Sequence, residues 1–409
     1  MKHNATRFLA LMLAVLMVVM LAACGNGATQ EPAADNEVST TTADTNEGVS
    51  ESTTEGATED TTESVPADES TTAPSESAGK TQGTKKPSST KKQTTTTSGK
   101  NVVTFTTTKG YTEATTAAPK NPLRVLSIGH SFSKDAMERY LWDMLKSSGK
   151  YDYIVIAYLF YPGCSLDRQW DHISGRQGVD DQGNPYEYQQ YRKTDPYTGE
   201  WMTCYKADNA KNLAATAIKD EKWDVITLQP SPDYGAGPEK CKGVNDYEDV
   251  GKILDWIRSN KTNAKAKIYY HMTWAFANDC RLWSFQFSNN DQMTMYKDFV
   301  NATKKYIFDA HSGRFAGIIP AGTSIQNARS SKLGDTFNMP GNYDSKADGY
   351  HLNDKGDCVA ALTWYCVLTG KKASTAACPS EWKSEWKIMT EAVDAAVKNP
   401  YEVTQSSYK

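Results

Sequence analysis

The chain has 409 residues, enough for one or two domains, and its 45 Lys and Arg against 49 Asp and Glu leave a formal net charge of −4. That balance gives no electrostatic reason to expect nucleic acid as a partner, and the cysteines show no zinc-finger or zinc-ribbon spacing. H-E-x-x-H, P-loop and dinucleotide-binding fingerprints are all missing, so the commonest metalloprotease, nucleotidase and NAD-binding signatures are excluded and no cofactor or metal is expected.

Composition is uneven along the chain. Residues 1–23 carry Lys2 and Arg7, then an apolar run from Phe8, and close on Leu21-Ala22-Ala23 just before Cys24 and Gly25. That is the pattern of a secretory signal ending in a bacterial lipobox, with a plain signal peptide or an anchoring helix as the alternatives. Lipidation at Cys24 would anchor the mature protein on the extracellular face of the cell membrane, each buried methylene contributing ~0.8 kcal/mol. Residues 24–120 are mostly Thr, Ser, Glu, Ala, Gly and Pro, acidic from Glu31 to Glu76 and basic through Lys85, Lys86, Lys91 and Lys92. With almost nothing apolar to bury, this segment reads as a flexible tether with an r.m.s. span of roughly 50–60 Å for about 95 residues. Its basic block either touches an anionic cell wall or is simply solvated.

Residues 121–409 form the folded part. Buried-strand runs are predicted at 124–128, 153–159, 224–228, 267–271 and 315–320, with helical periodicity at 134–147, 209–219, 247–258, 292–310, 354–368 and 381–398. Strand and helix in alternation predict a parallel sheet covered on both faces, an α/β three-layer α/β/α sandwich in one domain. A long polar, aromatic-rich excursion interrupts the rhythm at about 165–208, and "YEYQQYRKTDPYTGEWMTCY" within it reads as a hairpin turning at Thr198-Gly199. Its Tyr186, Tyr191, Tyr197 and Trp201 either form a sugar-stacking wall or pack the hairpin onto the domain.

Chemistry concentrates at two places. "VLSIGHSFS" puts Ser131 just after the first strand, where a hydroxyl is either a nucleophile or a helix N-cap. "ADGYHLNDKGDCVAALTWY" sets Asp348 and His351 three apart ahead of a helix, close enough for a base and its orienting acid to approach one hydroxyl together. His271 ends a strand and His311 a helix, which are settings typical of structural histidines. Besides Cys24 there are seven cysteines, an odd number in an oxidising compartment, from which one or more disulfides of unreadable pairing are expected, with at least one free or buried thiol.

"VLSIGHSFS", "DVITLQPS", "IPAGTSIQNARSSKLGD" and "DGYHLNDKGDCVAALTWY" together resemble the SGNH (GDSL-like) hydrolases, and more closely a bacterial branch known only as a domain of unknown function, DUF4886. The resemblance covers residues 122–370 and implies a flavodoxin-like fold and hydrolysis of small acyl esters. It implies Ser131 as nucleophile, His351 as base and Asp348 as its partner. The N–H groups of Ser131 and Gly163 and the side chain of Gln229 would meet the oxyanion. Two departures stand out: His130 replaces the usual Asp or Asn before the serine, and Gln229 stands where an Asn is common. "GHSFS" also lacks the last Gly of the nucleophile elbow of the larger α/β-hydrolases. From location and resemblance the expected substrate is an acylated, chiefly acetylated, extracellular carbohydrate. The alternative is a carbohydrate-binding or adhesion lipoprotein that keeps the fold with little or no catalysis.

Overall fold

The computed structural model describes residues 118–175, 188–206, 213–340 and 348–409, all within the second of the chain's two units, Val103–Lys409. The signal segment, Cys24, nearly all of the tether and Tyr186 lie outside the described residues.

Seven strands form one sheet: β1 (Pro122–Gly129), β2 (Tyr153–Phe160), β3 (Gln190–Thr194), β4 (Trp201–Lys206), β5 (Val225–Leu228), β6 (Lys267–His271) and β7 (Gly317–Ile319). Their spatial order is β4-β3-β2-β1-β5-β6-β7. The five strands β2, β1, β5, β6 and β7 run parallel, with Val125 opposite Ile156 on one side and Val225 on the other. β1 and β5 are buried nearly end to end, as strands covered on both faces must be.

The sheet is mixed, not wholly parallel as expected. The predicted hairpin turns where expected but joins the sheet, β3 pairing antiparallel to β2 and to β4. Its Tyr191, facing inward, is fully buried, and the pairing covers an edge of β2 that would otherwise expose unpaired N–H and C=O groups.

The helices are α1 (Ser131–Met137), α2 (Leu141–Ser147), α3 (Leu166–Ser174), α4 (Leu213–Asp220), α5 (Val250–Asn260), α6 (Gln292–Ala302), α7 (Ala321–Arg329), α8 (Asp354–Thr369) and α9 (Trp386–Lys398). One layer packs α1, α2, α7 and α9 around α8, and a second packs α3, α4 and α5 together. The helix predicted at 134–147 is two short helices, and the one predicted at 292–310 continues beyond α6 as a π-helical segment, Thr303–Asp309. α8 is the pillar of its layer, carrying the fully buried Trp364 and Tyr365.

The chain winds from β1 outward to β2 on one side and to β5 on the other. Where strand order reverses in this way, the connections leaving the two carboxyl ends diverge and leave a crevice. The segments leaving β1 and β5 here are Gly129-His130-Ser131 and Gln229-Pro230-Ser231.

The expected disulfides do not form: Cys164, Cys204, Cys241, Cys280, Cys358, Cys366 and Cys378 are all free thiols, five of them buried. They are dispersed over β4, four separate loops and α8. Cys358 and Cys366 share that helix eight residues apart, about 12 Å along its axis, well beyond the span a disulfide bridges.

Candidate active site

His130, not Ser131, caps α1. Its Nδ1 accepts the Phe132 N–H at 3.3 Å, so the ring proton sits on Nε2, which donates to the Pro230 carbonyl oxygen at 2.8 Å. Burial lowers its pKa to about 3 and keeps the ring neutral. The departure at His130 thus ties the turn after β1 to the turn after β5. It also frees Ser131 from capping, and among the described residues the Ser131 hydroxyl has no hydrogen-bond partner.

Beneath this turn lies a buried polar network. Ser133 Oγ donates to Gln229 Oε1 at 2.5 Å and lies 2.7 Å from Ser127 Oγ, which accepts from Thr227 Oγ1 at 3.0 Å. His271 Nδ1 is 3.1 Å from the same Gln229 oxygen, and burial holds this imidazole neutral with a pKa near 3, so Nδ1–H is the donor. Only glycine fits above it: a Cβ on Gly129 would fall 2.6 Å from Ser133 Oγ and 2.9 Å from Gln229 Cδ. Gln229 is fully buried, and its Nε2 has no partner among the described residues. The amide expected to face an oxyanion therefore sits sealed beneath the turn, its acceptor engaged by two structural donors. Gly163 lies in the turn after β2 with φ of +56°.

The second half of the site is the loop before α8. Asp348 Oδ1 accepts the main-chain N–H of Tyr350 at 3.0 Å and of His351 at 2.9 Å, while Oδ2 lies 2.5 Å from His351 Nδ1. Burial opposes ionisation of Asp348, but these bonds outweigh it and hold the carboxyl below its ordinary range. Burial likewise opposes charge on His351, yet the bond to Asp348 and the nearby carboxylates raise its pKa above the ordinary value. Nδ1 therefore carries the proton toward Asp348, and Nε2 is left without a partner among the described residues.

Neighbours hold this loop firmly. Trp274 Nε1 donates to the Tyr350 carbonyl oxygen at 2.8 Å, Met339 N to the His351 carbonyl oxygen at 2.8 Å, and Cys280 Sγ to the Asp348 carbonyl oxygen at 3.3 Å. Gly349 has φ of +72° and Cys280 Cα 2.7 Å from where its Cβ would stand, so no other residue fits.

The two halves touch. The Phe132 ring lies edge-on to His351 with centroids 5.8 Å apart, and Asp135, four residues after Ser131 and so on the same face of α1, accepts the Leu352 N–H at 3.2 Å. The face of α1 that carries Ser131 is turned toward the His351 loop. A direct Ser131–His351 hydrogen bond is not among those of the described residues. Nor does any group of three His, Cys, Asp or Glu side chains among them form a metal site.

The family model described as "Domain of unknown function (DUF4886)" matches residues 124–397. The chain belongs to the DUF4886 family. A DUF4886 family protein of known crystal structure from Bacteroides uniformis is 30% identical, with a TM-score of 0.58 over 69% of this chain and 98% of that one. A protein from Slackia heliotrinireducens, assigned by name only to the SGNH hydrolases, is 15% identical with a TM-score of 0.35 over 61% of this chain and all of that one. No curated protein sequence matches.

In this DUF4886 chain the described candidates of the hairpin, Tyr191, Tyr197 and Trp201, are not at the crevice. Tyr191 is buried with its hydroxyl on Asp220, and Trp201 packs on Tyr158 with Nε1 donating to the Glu138 carbonyl oxygen at 3.0 Å. Tyr197 is exposed but stacks edge-on against Tyr153 at the amino end of β2, roughly 20–25 Å along the strand from the crevice. Packing explains them: Trp201, with Arg192, braces the end of α1 through Glu138, while Tyr191 and Tyr197 pack elsewhere on the hairpin's side of the sheet. Aromatics nearer the His351 loop come from segments the sequence reading passed over. Trp283, 48% exposed, meets Tyr234 and Phe287 at centroid distances of 5.8 and 5.5 Å. Its neighbour Leu282 donates its N–H to the Cys280 sulfur, the same sulfur that bonds Asp348. Asp135 was also missed, since one Asp on a short helix looks like any solvated carboxylate.

Proposed function

We propose that this DUF4886 protein is a serine esterase of SGNH type. The arrangement that carries the reading is His351: Nδ1 fixed by Asp348, Nε2 open, on a loop packed against the helix that begins with an uncommitted Ser131. Such a pair can take the Ser131 proton as the hydroxyl attacks an ester carbonyl, then return it to the leaving alcohol. The main-chain N–H groups of Ser131 and Gly163 are the donors for the tetrahedral oxygen. Water then hydrolyses the acyl-enzyme.

The strand order β2-β1-β5-β6-β7 is the doubly wound order in which ligands bind at the carboxyl ends beside the first strand, which supports an SGNH-like, flavodoxin-like frame for this chemistry. For the substrate we propose small acyl groups, acetyl first, on extracellular carbohydrate. The Tyr234, Trp283 and Phe287 cluster supplies an aromatic face beside the His351 loop on which a sugar ring can lie. On the lipobox reading, acylated Cys24 would hold the enzyme on the extracellular face of the cell membrane. Among the described residues no helix is long and apolar enough to cross a membrane.

A second reading is a glycan-binding lipoprotein without turnover, favoured by the unjoined Ser131 and His351. Hydrolysis of para-nitrophenyl acetate by residues 121–409, together with labelling by a fluorophosphonate mapped by mass spectrometry, separates the two. Turnover and a label on Ser131 are expected, and neither occurs in a pure binding protein.

A further inference from the structure

The Asp348 turn fixes His351 relative to its own carboxylate, but it does not fix that pair relative to Ser131. Asp135 is the group that reaches across. It shares the Ser131 face of α1, and its Oδ2 accepts the N–H of Leu352, a bond joining positions 217 residues apart in sequence. Leu352 directly follows His351 and also pairs with Asn338 in an isolated bridge, so the residue that Asp135 holds is itself part of an ordered loop.

We propose that Asp135 is a positioning residue that clamps the His351 loop onto the nucleophile helix and sets a second negative charge, beyond Asp348, near the imidazole. Charges around that imidazole come from every packed element. Asp135 and Asp348 favour its protonated form and Lys134 on α1 opposes it, while His130 is held neutral by burial. Asp357 on α8 faces Asp135, but burial and Asp135 itself push its carboxyl up to about 9, so it is uncharged at neutral pH; Arg139, Asp354 and Glu138 act on Asp357 from outside. Among the described residues, Asp135, which burial raises to about 6 against the pull of His351, thus joins Asp348 as a carboxylate acting on the imidazole.

The proposal rests on the esterase reading only for its kinetic arm. Asp135→Asn keeps an oxygen for the Leu352 N–H and removes the charge, whereas Asp135→Ala removes both. In the full chain, the His351 imidazole, assigned by comparison with His351→Gln, is titrated by NMR. A midpoint moved to lower pH in Asp135→Asn is expected, and an unmoved midpoint overturns the proposal whether or not the protein hydrolyses esters. On para-nitrophenyl acetate the acid limb of kcat/KM should move to lower pH in Asp135→Asn. Asp135→Ala should lose roughly 10- to 100-fold in kcat, the scale of a small misplacement of a catalytic group, with Asn partly restoring it. A folded Asp135→Ala variant with wild-type kcat also overturns it. A wild type without any esterase activity would defeat the esterase reading alone, and the titration would still decide Asp135.

Discussion

Asp348 holds His351 twice, through Nδ1 at 2.5 Å and through the main-chain N–H at 2.9 Å, so ring and backbone of the proposed base are fixed by one carboxylate. That double hold makes the tautomer and the orientation of the imidazole properties of a four-residue turn. It also makes Asp348 more than a charge: Asp348→Asn would present an amide whose donor group faces Nδ1–H.

The pH dependence follows with a definite sign. His351 works as a base only when neutral, and its pKa is raised above the ordinary 6.5. Activity should therefore be full above the raised value and fall as pH drops through it, placing the acid limb of kcat/KM above 6.5. In Asp348→Asn the limb should move to lower pH and kcat should fall by about 10²- to 10⁴-fold. A wild-type limb well below 6.5 would contradict both the raised pKa and its cause.

Ser131→Ala is expected to remove ester hydrolysis and fluorophosphonate labelling, a loss of at least about 10³-fold. Because His130 does the capping and the Ser131 hydroxyl bonds nothing described, stability should change by no more than ~0.5 kcal/mol. Retained turnover in a folded Ser131→Ala protein would move the nucleophile elsewhere, while a large drop in Tm would reveal a structural bond for this hydroxyl.

What could be read from the sequence was what burial writes into it. β1, β2, β5 and β6 are short runs buried over most of their length, so apolar residues dominate them between flanking turns. α7 carries no such mark: all nine of its residues are buried, polar and apolar alike, so it has no amphipathic stripe to detect. Asp348 and His351 were visible because four consecutive residues of one loop carry both groups. Asp135 and Trp283 were not, because each acquires its neighbours only when segments far apart in sequence meet. The hairpin misled for the same reason, since aromatics that would suit a sugar also suit a sheet edge and a helix end.

Trp283 offers a test of the substrate class. Truncating a half-exposed indole should cost little stability, yet Trp283→Ala should lower kcat/KM for an acetylated oligosaccharide relative to para-nitrophenyl acetate by about tenfold, the scale of one aromatic stacking contact of ~1.4 kcal/mol. An unchanged ratio would leave this aromatic face out of substrate binding.

The seven free thiols lead to a different measurement. Reducing agent should leave Tm unchanged, since no disulfide constrains the described domain. Burial raises the thiol pKa of Cys164, Cys241, Cys280, Cys358 and Cys366 and keeps them slow toward a thiol reagent. Cys204 and Cys378, only partly buried, should react first. A Tm lowered by reductant would mean that a disulfide does form.

Gln229 is where sequence and structure differ most sharply in consequence. If its Nε2 met an oxyanion, Gln229→Ala would lower kcat by about 10²- to 10³-fold and leave stability nearly untouched. In the structure its oxygen is the acceptor for both Ser133 and His271, and the whole amide is sealed under Gly129. Ser133 could still turn its hydroxyl to Ser127, but His271 Nδ1–H would be stranded in an apolar setting beside Trp364. A stranded buried donor and the space left by the amide together cost about 2–4 kcal/mol, which for a domain of this size lowers Tm by roughly 5–10 °C. The expected outcome for Gln229→Ala is thus a clear fall in Tm with kcat per folded molecule close to wild type. A stable Gln229→Ala protein with strongly reduced kcat would return Gln229 to the oxyanion site and require the turn above it to open during the reaction.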